Sequence, residues 1–175
     1  SIPGMQAWYS VQDLDGDNTD DQGNVLSNGD QIIQWMDGSG QSRNMVYTSG
    51  NPRFYSSVLN GKPVVSFDGN DMIWGDTNFD FLTNTGYTIV SLARYTGGRN
   101  NRVISSRSTN WLFGFHGGLV SRFFANGWIS TGGPSDNDWH LHLGSIEAKG
   151  GNPAASFWKD GVEVVSGHRG SNNTN

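Results

Sequence analysis

Apolar side chains recur along this chain in short alternating runs, with little helical periodicity, and Gly, Asn and Asp punctuate the runs. Three two-residue turn signals stand out. Asn60-Gly61 separates Ser57–Leu59 from Val64–Phe67, Asn126-Gly127 separates Arg122–Ala125 from Trp128–Thr131, and Asp160-Gly161 separates Ser156–Lys159 from Val162–Val165. These pairs tolerate the positive φ angles of a type I′ turn, whose twist matches two paired strands. Longer strands are predicted over Tyr87–Tyr95, Arg102–Ser106, Trp111–His116 and Trp139–Lys149. About ten short strands with frequent turns predict an all-β chain, a sandwich or barrel. No internal repeat or linker interrupts residues 1–175, so a single domain is expected.

Side chains alternate across a strand, which assigns faces. Trp111, Phe113 and Phe115 share one face and are expected in the core. Alternation through the Asn126-Gly127 hairpin puts Phe123, Ala125, Trp128 and Ser130 on one face and Arg122, Phe124, Ile129 and Thr131 on the other. Each face holds a large apolar group, so an aromatic is expected to stay at least half-exposed, and Arg122 is expected on the face opposite Trp128. On the strand that begins at Trp139, the Trp and Leu141 and Leu143 are expected inside, with His140 and His142 outside.

Composition sharpens this picture. Hydrophobic residues are 34% and charged residues 15%, while 25 Gly accompany abundant Ser and Asn. Low charge with high polarity is compatible with disorder, but 12% aromatics, with 7 Trp and 9 Phe, argue for a packed core. The absence of cysteine removes disulfides, thiol nucleophiles and thiolate metal sites. No run of 18 apolar residues is present, so membrane insertion through a helix is not expected. Ser1–Ser10 has neither the basic nor the apolar stretch of a signal peptide. The net charge of -5 is uneven: residues 1–42 hold seven Asp and no Lys or Arg, and the rest of the chain is nearly neutral. That balance gives nucleic acid no basic footprint, and no nucleic-acid partner is expected.

Several stretches, in order, resemble bacterial LamG-like jelly-roll domains of the concanavalin A-like lectin/glucanase superfamily. They are Met5–Ser10, Trp35–Gly40, the run Val58–Gly69 that contains Asn60-Gly61-Lys62-Pro63-Val64-Val65, Trp139–Leu141, and Phe157–Gly161. The resemblance implies a two-layer antiparallel jelly-roll β-sandwich, found in bacterial extracellular or cell-surface proteins. It does not choose among lectin, glycosidase and adhesive module, since the superfamily hosts all three. Family domains close with a further core strand after the last hairpin. Here Gly167–Asn175 is polar, so an open C-terminal edge is expected: either residues 1–175 are a fragment that lacks the closing strand, or that strand comes from elsewhere, for example a neighbouring protein chain through strand addition.

The densest candidate chemistry is the acidic loop insertion at residues 13–24. Asp13, Asp15, Asp17, Asp20 and Asp21 place oxygen ligands at nearly alternate positions around Gly16, which suits a structural Ca²⁺. Asn24 stands where an EF-hand has its bidentate Glu, so this is not an intact EF-hand, and a solvated acidic loop is the alternative. The two glutamates, Glu147 and Glu163, are sixteen residues apart and form no paired-carboxylate motif, so hydrolysis is not expected and an atypical glycoside hydrolase is the remote alternative. No nucleophile elbow or zinc helix is present. His140 and His142 have the spacing of a metal pair but no third ligand nearby, and read as solvent-facing histidines.

Sugar binding by a sandwich uses an aromatic face flanked by amides and carboxylates. Trp74, Asp76 and Asn78 after one predicted strand, and Trp128 at the head of another, are the candidate ligand-binding residues, although core packing is the ordinary fate of a strand Trp. Arg94, Arg99, Arg102 and Arg107 read as a solvated loop rather than an anion clamp. The expected protein is a non-catalytic, calcium-stabilised extracellular binding module with a glycan or polysaccharide as ligand. A structural or self-assembling surface subunit is the alternative.

Overall fold

The computed structural model describes residues 2–14, 26–75, 85–96, 101–125, 127–147 and 154–169. The described residues are all-β, with no helix and with every strand pair antiparallel. Chain contacts divide the protein into two compact units, residues 1–78 and 79–175.

In the first unit, β1 (Tyr47–Ser49) pairs with β4 (Met72–Trp74), and β2 (Arg53–Leu59) with β3 (Lys62–Ser66). The β2–β3 hairpin turns at Asn60-Gly61, whose φ angles of 50° and 77° are the left-handed values that the pair was chosen for. Few apolar side chains of this unit are buried; Leu14, Ile32 and Pro52 are, whereas Trp8, Ile33, Tyr55 and Phe67 are exposed. Polar hubs hold the chain instead. Asp37 is buried and accepts from the backbone of Trp8 (2.8 Å), Ser39 (2.9 Å) and Arg43 (3.0 Å) and from the Ser39 hydroxyl (2.8 Å). Burial pushes its carboxyl up, but those four donors outweigh it and hold the group below the usual carboxylate range. Asp71 ties a second loop by accepting from the backbone of Asn51 (2.6 Å) and Asp68 (2.7 Å).

The second unit is a two-layer sandwich. One sheet has the order β12-β11-β10-β5, with β5 (Tyr87–Ala93), β10 (His140–Ile146), β11 (Ala154–Lys159) and β12 (Val162–Arg169). The other has the order β6-β7-β8-β9, with β6 (Ile104–Ser105), β7 (Trp111–His116), β8 (Leu119–Ala125) and β9 (Trp128–Pro134). Aromatic rings fill the space between the layers. Phe113 meets Phe123 at 5.2 Å and Phe157 at 5.5 Å, both edge to face, and all three are fully buried. Trp111 joins them and donates its indole N–H to the Tyr87 hydroxyl at 3.0 Å. Burial there raises the Tyr87 pKa to about 12.

The alternation expected on β10 is reversed. His140 and His142 face inward, 5% and 0% exposed, while Leu141 faces outward at 46%. Gly144 supplies the reason. A Cβ at Gly144 would stand 2.6 Å from Phe113 and 2.9 Å from Phe123, so these rings occupy the space of the missing side chain. With Gly144 and Ile146 fixed on the inner face, His140 and His142 must share it. Trp111, Phe113 and Phe115 are buried as expected.

The β8–β9 hairpin is also corrected. Phe124 pairs with Trp128 and Phe123 with Ser130, so Ile129 is the extra residue of a bulge. The bulge puts Ile129 and Ser130 inside and leaves Trp128 on the face of Phe124 and Arg122. Phe124 and Trp128 are the half-buried aromatics.

Candidate functional site

Trp128 is the sequence-predicted site residue with the clearest setting. It opens β9 and meets Phe124 edge to face at 5.1 Å. The Arg122 guanidinium lies over its ring, with Cζ 3.9 Å from the centroid. Arg122 and Trp128 were expected on opposite faces, and the bulge at Ile129 brings them together. Gly132 completes the seat of Arg122. A Cβ there would lie 3.1 Å from the Arg122 Cγ and 2.2 Å from the Val120 carbonyl oxygen, and the Gly132 φ is +71°.

Trp128 lines an open groove of about 590 Å³ at the side of the sandwich where β9 and β12 are the outermost strands. Ser130, Thr131 and Pro134 of β9 form one wall, and Lys159 of β11 and Val165 of β12 contribute the other. The Ser130 hydroxyl is committed to the Ser121 carbonyl (2.6 Å), whereas Thr131 is exposed. Lys159 is the one charged residue in the lining. Neither Lys159 nor Arg122 makes an ion pair or side-chain hydrogen bond among the described residues.

A second polar cluster sits at the end of β10. The His140 imidazole lies between two carboxylates, with Nδ1 2.7 Å from Asp160 Oδ2 and Nε2 2.8 Å from Asp136 Oδ1. Carboxylates only accept, so both ring nitrogens donate and the ring is an imidazolium. Burial favours the neutral ring, yet the hydrogen bonds and charges of Asp136 and Asp160 prevail and raise the His140 pKa above 6.5. The bond from His140 lowers Asp136 to about 2. Asp160 is the turn residue between β11 and β12, with φ 54°, and its other carboxylate oxygen accepts from the Leu141 backbone at 2.9 Å. The cluster therefore latches that hairpin to β10.

His142, two residues on, behaves oppositely. It packs among Phe113, Phe115 and Phe157, and burial, followed by the charge of His140, lowers its pKa to about 4. It is neutral at pH 7. Among the described residues no group of three or more His, Asp or Glu is placed to hold a metal ion.

Of the other predicted site residues, Trp74 and Asp13 are described. Trp74 belongs to the first unit, where it pairs with Tyr47 across β1–β4 and stacks on its ring at 5.8 Å. Asp76 and Asn78 lie outside the described residues, as do Asp15, Asp17, Asp20 and Asp21 of the acidic loop. Asp13 is described: it is buried, 7% exposed, and its backbone donates to Ser10 at 3.3 Å.

Sequence reasoning missed Arg122, Lys159 and the Asp136–His140–Asp160 cluster. The signal for Arg122 was the Gly132-Gly133 pair two to three residues after Ser130, which marks an irregular edge strand able to receive a long side chain. For His140 it was Gly144 at the same parity.

No family model matches the chain, and neither a curated protein nor a solved structure does.

Proposed function

We propose that this protein is a non-catalytic carbohydrate-binding module, extracellular or at the cell surface, with the Trp128 groove as its sugar site. The observation that carries this reading is a half-buried indole lining an open groove beside the exposed Thr131, the arrangement that stacks a pyranose ring and hydrogen-bonds its hydroxyls. The resemblance to LamG-like jelly rolls supports a glycan as the ligand class. The non-catalytic part of the reading is supported by the carboxylates around His140. Asp136 and Asp160 are both held at low pKa by the imidazolium between them, whereas glycoside hydrolysis needs one carboxyl kept protonated.

In this reading Ca²⁺ braces the acidic loop through Asp13, Asp15, Asp17, Asp20 and Asp21, with Asp13 as the buried end of the ligand set. A second reading, assembly through strand addition from a neighbouring chain, rests on the place of β12 at the end of its sheet order.

The test is a polysaccharide and glycan panel probed with wild type and Trp128→Ala, each with calcium and with a chelator. Saturable binding lost in Trp128→Ala is the expected result. Loss with chelator as well would make the acidic loop part of the binding apparatus, and survival would make it a brace. A folded protein that binds nothing, while forming defined oligomers, would replace this reading with the assembly role.

A further inference from the structure

Building on the sugar-site reading, we propose that the groove selects an anionic polysaccharide, one whose sugar rings carry carboxylate or sulfate groups, over a neutral one. Local charge favours such a ligand. The protein as a whole is acidic, with a net charge of -5, yet the groove lining contains Lys159 and no Asp or Glu. Arg122 adds a second cation on the Trp128 ring.

Neither cation makes an ion pair or side-chain hydrogen bond among the described residues, although Lys159 feels the charge of the neighbouring Asp160 and Arg122 lies on the Trp128 ring; the Arg122 Nε–H is buried without an acceptor. An Arg planted on an aromatic face, with its stem packed against Gly132, has already lost much of its side-chain freedom. Such a guanidinium is set to receive an oxyanion in a bidentate or end-on hydrogen bond. Arg122 covers one face of the Trp128 ring, so a sugar ring packed against the indole in the groove would meet Lys159 across the groove and could reach Arg122 only with a substituent extending past the edge of the ring. Neutral sugars would use the indole and Thr131 but would offer neither cation an anionic group.

The experiment measures binding of the full chain by calorimetry to three polymers of similar size: dextran, dextran sulfate and polygalacturonate. Wild type, Arg122→Gln, Lys159→Gln and Trp128→Ala are compared at about 50 and 300 mM salt. The expected result is tighter binding of one or both anionic polymers than of dextran. Arg122→Gln and Lys159→Gln should each weaken it about tenfold, as the loss of a charge-assisted contact does, and the affinity should fall with salt. Whether dextran sulfate or polygalacturonate binds better identifies the anion. Dextran binding as tightly as either, dependent on Trp128 but indifferent to Arg122, Lys159 and salt, would overturn this inference and keep the sugar site. Anionic binding that is insensitive to all three substitutions would also overturn it. No binding of any polymer here or across the glycan panel would remove the sugar site itself. Unaltered near-ultraviolet circular dichroism of the variants guards against unfolding as the cause.

Discussion

The two compact units reach ordered structure by different means. In residues 79–175, apolar burial decides almost everything: Phe113, Phe123 and Phe157 interlock between two sheets, and even a histidine, His142, is drawn into the ring cluster as a neutral group. In residues 1–78 the ordered loops hang on carboxylates. Asp37 gathers four donors from Trp8 and from its own loop at Ser39 and Arg43, and Asp71 ties two more. The difference teaches that this polar composition is reconciled with order in two ways. A small number of large aromatics supplies the energy in one unit, and satisfied backbone donors supply the specificity in the other.

That contrast is most strongly tested in the aromatic core. Phe113→Ala should cost about 4 kcal/mol, since it removes a fully buried ring and leaves a cavity. Gly144→Ala should cost about 3 kcal/mol by the opposite route, forcing a methyl into the space of Phe113 and Phe123. Urea denaturation followed by near-ultraviolet circular dichroism reads both. A neutral Gly144→Ala would break the explanation given for the reversed face of β10.

Next comes the polar hub. Asp37→Ala leaves the Trp8, Ser39 and Arg43 amides without their acceptor, at a cost of about 2 kcal/mol. Hydrogen exchange should accelerate at those three amides. Unchanged protection there would show that the loop is held by something other than the carboxylate.

The histidines sharpen the comparison further, because the sandwich also contains one charged device. His140 has a raised pKa, so its contribution to stability is complete below 6.5 and is lost as pH rises through its folded-state value. His142 has a pKa lowered to about 4, so its contribution is present above 6.5 and is lost as pH falls from there through 4. Together they place a stability maximum near pH 6.5. In a Tm profile against pH, His140→Gln should flatten the alkaline limb and His142→Phe the acid limb. If both limbs persist in both variants, the maximum has another origin.

The smallest effect is expected at the groove. Arg122→Gln removes one cation–π contact and should cost about 1 kcal/mol or less of stability. A much larger loss would make Arg122 a structural residue.

Much of the second unit was legible in the sequence. Trp111–His116 has the bounds of β7, and Asp160-Gly161 forms the expected turn, with φ angles of 54° and 79°. What misled was parity. Alternation is reliable within a regular strand, but the bulge at Ile129 adds one residue, and a single extra residue turns Trp128 to the other face. On β10, leucines were given more weight than a glycine. In a core of rings, however, the position that must be empty constrains the strand more than the positions that are merely apolar. In the first unit the Asn60-Gly61 hairpin was readable, whereas the Asp37 hub was only half so: its bonds from Ser39 and Arg43 are local, but the bond from Trp8 spans 29 residues and is made by chain folding. Trp128 was readable as a sugar-stacking candidate from its place at a strand start. Its cationic neighbours required the register.

Sugar stacking on Trp128 can be read directly from the indole signals of the seven tryptophan side chains. Indole N–H resonances are followed by nitrogen–proton correlation spectroscopy as polysaccharide fragments are added, with Trp128 assigned by its disappearance in Trp128→Phe. Saturable movement concentrated on the Trp128 signal is the expected result. Movement confined to other indoles, Trp74 among them, with Trp128 still, would contradict it.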